Sequence, residues 1–160
     1  PLDPDISKAL KSAARLLSIR HRSVHEMENH LKKKFNSDTI ENTIQLLKQD
    51  RYLDDRRFAQ LFIESRIHNN PKSKYLLGKE LSAKKVAPEI IEEHLFKLDD
   101  RDLAESAVNR KLRIWMKTLD ENRVKNKVFN YLGHRGFGFQ VIHDTWERVR
   151  LRLIDNDLLC

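Results

Sequence analysis

The sequence has little that would cross-link it, turn it sharply or hold it in a membrane. Its 160 residues include one cysteine, Cys160, so no internal disulfide can form. Four glycines and four prolines are too few for a protein built from many β-turns. No run of about 18 apolar residues occurs, which excludes a predicted membrane-spanning helix. These scarcities favour an all-α protein made of one domain or a few small packed modules.

Signals for export and for catalysis are also missing. The segment PLDPDISKAL lacks the basic-then-apolar layout of a secretory signal, and with a single thiol this predicts a cytoplasmic protein. No G-x-S-x-G, Walker A or H-E-x-x-H motif is present. Of the seven histidines only His21 and His25 share a helical spacing, without acids or thiols to complete a metal site. We therefore expect no enzyme activity, no cofactor and no metal.

Positive charge is what the sequence has in excess. Lysine and arginine number 31 against 24 acidic residues, which gives a net charge of +7. Such an excess favours a polyanionic partner, either nucleic acid or an acidic protein surface. Simple solubility is the alternative explanation.

Apolar residues recur at three- and four-residue spacing along nearly the whole chain, as in amphipathic helices. No alternating stretch is long enough to predict a strand. Nine apolar stripes follow one another, centred near Leu10, Met27, Ile44, Phe62, Leu81, Leu95, Val108, Val128 and Trp146.

The nine predicted helices fall into three similar groups. Two sets of positions recur along the chain: Ala13–Ala14, Phe58–Ala59 and Leu103–Ala104 at intervals of 45 residues, and Phe35, Val86 and Phe137 at intervals of 51. Such recurrence is typical of repeat proteins, in which each small unit packs on its neighbour. We predict three tandem three-helix repeats over residues 5–52, 53–98 and 99–152, followed by a C-terminal tail over residues 153–160.

A doubled aspartate precedes two of these helices, in YLDDRRFAQ (52–60) and KLDDRDLAE (97–105). An aspartate before the first turn accepts a hydrogen bond from a helical N–H, which contributes about 0.5–2 kcal/mol, and a second acid favours the helix dipole. A metal site would need further ligands near each pair, and none follows locally. We therefore predict that Asp54, Asp55, Asp99 and Asp100 are helix caps.

The segment YLGHRGFGF predicts a helix end. With Gly136 in the left-handed conformation just after the helix, Phe137 would pack on Leu132. The same spacing in the middle repeat places Lys85 at the left-handed position, where a residue other than glycine costs about 1 kcal/mol.

Three segments carry a resemblance to a known family. YLDDRRFAQLFIESR, the following LLGKELSAKKV and the later YLGHRGF resemble the RecX family of bacterial recombination regulators. The similarity covers about residues 8–150 and is strongest in the middle repeat. Many family members have glycine where this chain has Lys85.

The resemblance implies a curved, elongated molecule of three-helix repeats that binds the RecA recombinase, above all its filament on single-stranded DNA. It implies restraint of RecA: less ATP hydrolysis, strand exchange and LexA co-cleavage, and limited filament growth. A monomer that binds no membrane is expected. A non-sequence-specific nucleic-acid-binding helical module is the alternative, with weak, salt-sensitive binding to single- or double-stranded DNA.

The contact surface is predicted from the cations around the middle repeat. Lys72 and Lys74 begin a helix whose dipole opposes positive charge, so an anion docked on free first-turn N–H groups would explain them. Lys79 lies about two turns further on. Aromatic residues rarely interleave with these charges as a stacking surface requires, although Tyr75 and Tyr131 are candidate interface residues. The predicted partner- or DNA-binding set is Arg56, Arg57, Lys72, Lys74, Lys79, Lys84, Lys85 and Arg135.

Overall fold

In a computed structural model that describes residues 1–157, these residues form nine α-helices and no strand, which confirms the all-α prediction. The helices are α1 (Pro4–Leu17), α2 (Val24–Leu31), α3 (Ser37–Gln49), α4 (Asp55–Asn69), α5 (Lys74–Ala83), α6 (Pro88–Leu95), α7 (Asp100–Thr118), α8 (Glu121–His134) and α9 (Phe139–Asp157). Helix α9 continues through residues 153–157 of the predicted tail, and residues 158–160 lie outside the described residues.

The chain divides into two compact units. The first contains Pro1–Phe62 and Glu80–His94, and the second contains Ile63–Lys79 and the described residues from Leu95 onward. Helices α4 and α5 contribute residues to both units, so the compact units do not follow the helix order in groups of three.

The core of the first unit is built from the apolar faces of α1, α2 and α3. Met27 and Leu31 of α2 are fully buried, and each such side chain contributes about 1.5–3 kcal/mol by leaving water. Ala13 is also fully buried, whereas Ala14, predicted on the same stripe, is exposed. The buried residues of this cluster are Ala9, Ala13, Met27, Leu31, Ile40, Ile44, Leu47 and Leu53.

The core of the second unit lies among α7, α8 and α9. Trp146 of α9 is 2% exposed and is the largest side chain in this core, where Val128 and Leu132 of α8 are fully buried. Leu77 of α5 belongs to the same cluster, so the beginning of α5 is packed on the last three helices.

Helix α8 ends with the hydrogen bonds that close a left-handed terminus. Gly136 has φ +83°, its N–H donates to the Gly133 carbonyl at 3.1 Å, and the Phe137 N–H donates to the Leu132 carbonyl at 3.2 Å. These bonds satisfy two carbonyls that the last helical turn would otherwise leave without partners.

Helices α5 and α3 end in the same way with a residue other than glycine. Lys85 has φ 56°, and the Val86 N–H donates to the Leu81 carbonyl at 3.2 Å. Arg51 has φ 60°, and the Tyr52 N–H donates to the Leu47 carbonyl at 2.8 Å. The terminus at Arg51 was not predicted.

Each doubled aspartate serves two helix starts. Asp54 accepts from the Arg56 N–H at 2.9 Å, and Asp99 accepts from the Arg101 N–H at 2.7 Å, so the first aspartate caps the helix that follows it. The second aspartate was expected to act on the dipole of that same helix. It does lie in the first turn of that helix, and it also accepts from the first N–H of an earlier helix: Asp55 from Val24 of α2, and Asp100 from Lys74 of α5.

Candidate partner-binding surface

The predicted cations belong to two different units and are therefore described as two groups. Arg56, Arg57, Lys84 and Lys85 lie in the first unit, and Lys72, Lys74, Lys79 and Arg135 lie in the second.

In the first unit, Arg56 and Arg57 lie on the opening turn of α4. Arg56 forms an ion pair with Glu93 of α6, and both side chains are more than half exposed. An exposed pair of this kind contributes about 0–1 kcal/mol, so a partner carboxylate or phosphate can replace Glu93 at little cost. The Arg57 side chain is exposed beside it.

Lys84 has a different environment because it binds a half-buried carboxylate. Its ammonium lies 2.5 Å from Glu26 of α2, which also accepts from Arg20 at 3.0 Å and from the Ser23 N–H at 3.1 Å. Burial alone would raise the pKa of Glu26, but the hydrogen bonds from these three partners outweigh it and lower the pKa to about 2. Lys84 therefore links the residue after α5 to α2 within the first unit, whereas its neighbour Lys85 is exposed.

In the second unit, the start of α5 already has an anion. The Lys74 N–H donates to the Asp100 carboxylate at 2.8 Å, and the Leu76 N–H donates to the Ser73 hydroxyl at 3.2 Å. The premise that these first-turn N–H groups are free to bind an external anion is wrong. The Lys72 and Lys74 side chains, both half-buried, remain candidates through their charge alone.

Arg135 lies against the segment that precedes α5. Its carbonyl accepts from the Ser73 N–H at 3.0 Å, and its guanidinium donates to the Pro71 carbonyl at 3.3 Å. The structure thus brings Arg135 next to the segment that carries Lys72 and Lys74.

Two of the predicted cations are stacked on tyrosine rings. The Arg135 guanidinium lies 4.4 Å from the ring centre of Tyr131, and the Lys79 ammonium lies 4.9 Å from that of Tyr75. Tyr75 is 63% exposed. Tyr75 and Tyr131, the two tyrosines named as candidate interface residues, each therefore lie beside a cation of the predicted set.

Further cations lie around α2, outside the predicted binding set. On α2 and the turn after it, burial and the nearby charges of Lys33, Arg22 and Lys34 lower the pKa of His30. The pKa of Arg22 is lowered by burial and by Arg20. Burial is the larger cause of both shifts, and the neighbouring cations act in the same direction.

The described residues carry neither a metal-binding cluster nor a membrane-spanning helix. Among the side chains that the structure describes, no group of three or more His, Cys, Asp or Glu is placed to hold a metal ion. None of the described helices is both long enough and apolar enough to cross a bilayer.

Two protein-family models match the chain. The family model described as "RecX, first three-helix domain" matches residues 9–47, and the family model described as "RecX, second three-helix domain" matches residues 54–95. The "Regulatory protein RecX" of Prosthecochloris aestuarii is 36% identical over 92% of this chain and 97% of its own length. The chain belongs to the RecX family. This confirms the resemblance that the sequence motifs carry.

Other RecX proteins differ in how much of them the chain spans. The "Regulatory protein RecX" of Chlorobium phaeobacteroides is 33% identical, again over 92% of this chain and 97% of its own length. The chain spans about half the length of some relatives, such as 54% of the Bacillus licheniformis protein, to which it is 34% identical. The crystal structure of RecX from Lactobacillus salivarius has the same fold, with a TM-score of 0.76 and 24% identity over 94% of this chain and 99% of that one.

Proposed function

We propose that this protein regulates the RecA recombinase, mainly as an inhibitor, by binding the RecA filament on single-stranded DNA. The observation that supports this most strongly is its similarity, over nearly their full length, to proteins named regulatory protein RecX. We further propose that the protein is a cytoplasmic monomer without enzymatic activity, and that its exposed charged surface binds the filament.

The exposed cations supply a physical mechanism. A protein that bridges successive RecA subunits would hold the filament in one arrangement, which slows ATP hydrolysis and strand exchange and blocks LexA. Arg57, Lys79 and Lys85 are exposed and can meet acidic RecA side chains or DNA phosphates. Binding that depends on such charges weakens as salt concentration rises.

A second candidate is a nucleic-acid-binding module that does not read sequence. The stacking of Arg135 on Tyr131 and of Lys79 on Tyr75 favours it, because aromatic rings beside cations are typical of proteins that bind single strands. The two candidates differ in what they require. A nucleic-acid module binds bare DNA, and its affinity falls steeply as the salt concentration rises. A filament regulator binds only when RecA is present.

The test is the ATPase activity of RecA on single-stranded DNA, with this protein titrated from amounts far below one per RecA. We expect inhibition at substoichiometric amounts, because blocking filament extension requires few molecules. Unchanged ATPase activity at a molar excess would contradict the proposal.

A charge-reversal variant locates the surface. Lys72→Glu/Lys74→Glu/Lys79→Glu is expected to need at least tenfold more protein for half-inhibition. Lys8→Glu/Lys11→Glu/Arg15→Glu on the exposed side of α1 changes the net charge by the same amount and is the matched control. If both variants weaken inhibition equally, Lys72, Lys74 and Lys79 do not belong to the contact surface.

A further inference from the structure

The end of α7 and the outer face of α8 form an open groove of about 460 Å³ in the second unit. This volume lies within the range of ligand sites. Trp115 and Leu119 form its apolar side, and the α8 side is formed by Arg123, Asn126, Lys127, Asn130 and Tyr131. No carboxylate is among these lining residues, although 24 acidic residues are distributed along the chain.

The α8 side of the groove is two adjacent stripes of one helix. Arg123, Lys127, Tyr131 and Arg135 follow one another at four-residue spacing, and residues four apart share a helix face. Asn126 and Asn130 form the neighbouring stripe at the same spacing. Basic, aromatic and amide side chains are thereby presented together along about three turns of α8.

The aromatic rings are held in a fixed arrangement. Trp115 and Tyr131 meet edge to face, with ring centres 5.5 Å apart and planes at 81°, and Arg135 covers Tyr131. Trp115 is only half-buried, so part of its indole faces the groove. Arg123 contacts Asp120 at 3.6 Å, but both side chains are more than 60% exposed, and a screened pair of this kind can be exchanged for a phosphate.

We propose that this groove binds a nucleotide of single-stranded nucleic acid, which deepens and rests on the proposed function, since the RecA filament carries a single strand. Trp115 stacks on the base, Asn126 and Asn130 bond its edge, and Lys127 with Arg123 binds the flanking phosphates. Cations suffice to attract an acidic protein surface, whereas an aromatic ring beside two amides adds the stacking and edge bonding that recognise a base.

The fluorescence of Trp115 reports directly on base stacking. The chain has two tryptophans, and the other, Trp146, is 2% exposed in the core and cannot stack on a ligand. The probe is a short thymidine oligonucleotide added to the protein without RecA, compared with an abasic strand of equal length and with polyglutamate. We expect quenching by the oligonucleotide and none by the abasic strand, and loss of the quenching in Trp115→Phe. Equal quenching by polyglutamate would assign the groove to an acidic protein and overturn the proposal.

A matched pair of variants separates groove binding from net charge. Lys127→Glu is expected to weaken oligonucleotide binding about tenfold, and Lys125→Glu no more than about twofold, because Lys125 lies on another face, over Phe129. Thermal unfolding of both variants checks that they fold. Equal weakening would overturn the proposal.

The failure of this proposal is distinguishable from that of the proposed function. RecA inhibition that persists although the oligonucleotide neither binds nor quenches Trp115 would overturn the groove alone. Quenching in a protein that leaves RecA activity unchanged at a molar excess would support the groove and contradict the regulator.

Discussion

The carboxylate of Asp55, in the first turn of α4, accepts a 2.9 Å hydrogen bond from the backbone N–H of Val24, the first residue of α2. Asp100 makes the same bond to Lys74, the first residue of α5, at 2.8 Å. Each doubled aspartate thus fixes the start of its own helix and also that of a helix 26 or 31 residues earlier. A local sequence motif here secures a tertiary contact, because the N-terminal N–H groups of a helix have no partner within it.

Replacing Asp55 tests the hydrogen bond between α4 and the start of α2. Asp55→Ala removes the acceptor from the Val24 N–H and is expected to lower the free energy of unfolding by about 1–2 kcal/mol. Asp55→Asn keeps an acceptor oxygen, so its loss is expected to be smaller. Urea unfolding at pH 7 measures both, and a stability of Asp55→Ala equal to that of the parent would show that the bond contributes nothing.

The pH dependence of Asp55→Asn follows from burial. Burial raises the pKa of Asp55 above 3.8, although the Val24 N–H acts in the opposite direction. The folded protein therefore holds this proton to higher pH than the unfolded chain, and stability is lost as pH rises from about 3.8 through the raised pKa. Asn cannot ionise, so the stability of Asp55→Asn relative to the parent should increase between pH 3 and pH 7.

Glu26 is expected to give the opposite pH dependence. Its pKa falls from 4.5 to about 2, because the hydrogen bonds from Arg20, Lys84 and Ser23 outweigh the burial that would raise it. The unfolded chain therefore takes up the proton first, so the contribution of Glu26 is fully present above pH 4.5 and is lost as pH falls towards 2. After allowance for solvent screening, it is about 1–2 kcal/mol.

The variant Glu26→Gln is therefore expected to be about 1–2 kcal/mol less stable than the parent at pH 7 and nearly equal to it at pH 2.5. Urea midpoints at the two pH values measure the difference. Lys84→Met is the companion variant, since it removes one partner of the same carboxylate and should also destabilise. A difference that stays constant with pH would show that Glu26 does not titrate in this way.

Much of the fold is predictable because it rests on local rules. The spacing of apolar residues places Met27, Leu81 and Trp146 in the core, where the structure buries them. The doubled aspartates and Gly136 mark helix ends because capping geometry is decided within about six residues. The reach of Asp55 to Val24 is not predictable in this way, since it depends on how helices pack.

The candidate surface was harder to predict because charge alone does not show what lies beside it. Lys84 and Arg57 look alike in the sequence, yet Lys84 binds Glu26 and Arg57 is exposed. Trp115 and Tyr131 are 16 residues apart on different helices, so their contact cannot be read from spacing. The four-residue spacing from Arg123 to Arg135 was a visible signal.

Two glycines of the same segment are expected to respond oppositely to alanine. Gly136 has φ +83°, and a Cβ there would lie 2.4 Å from Leu76 and 2.6 Å from Ser73, so Gly136→Ala should cost more than about 2 kcal/mol. Gly133 lies within α8 with nothing within 4 Å of such a Cβ, so Gly133→Ala should stabilise by about 0.5–1 kcal/mol. Urea unfolding of the two variants measures the difference. A loss of stability in both would show that α8 does not tolerate a methyl group at position 133.

Lys85 is expected to have a strained backbone and to belong to the contact surface. Its replacement by glycine relieves the strain and removes the charge. Its φ of 56° disfavours a side chain, so Lys85→Gly should raise the free energy of unfolding by about 0.5–1 kcal/mol. Arg51→Gly, at φ 60° and with the same change of charge, should stabilise equally and is the control. If Lys85 belongs to the contact surface, only Lys85→Gly will inhibit the RecA ATPase less well. Equal inhibition by the two variants would show that Lys85 ends a helix but does not belong to the contact surface.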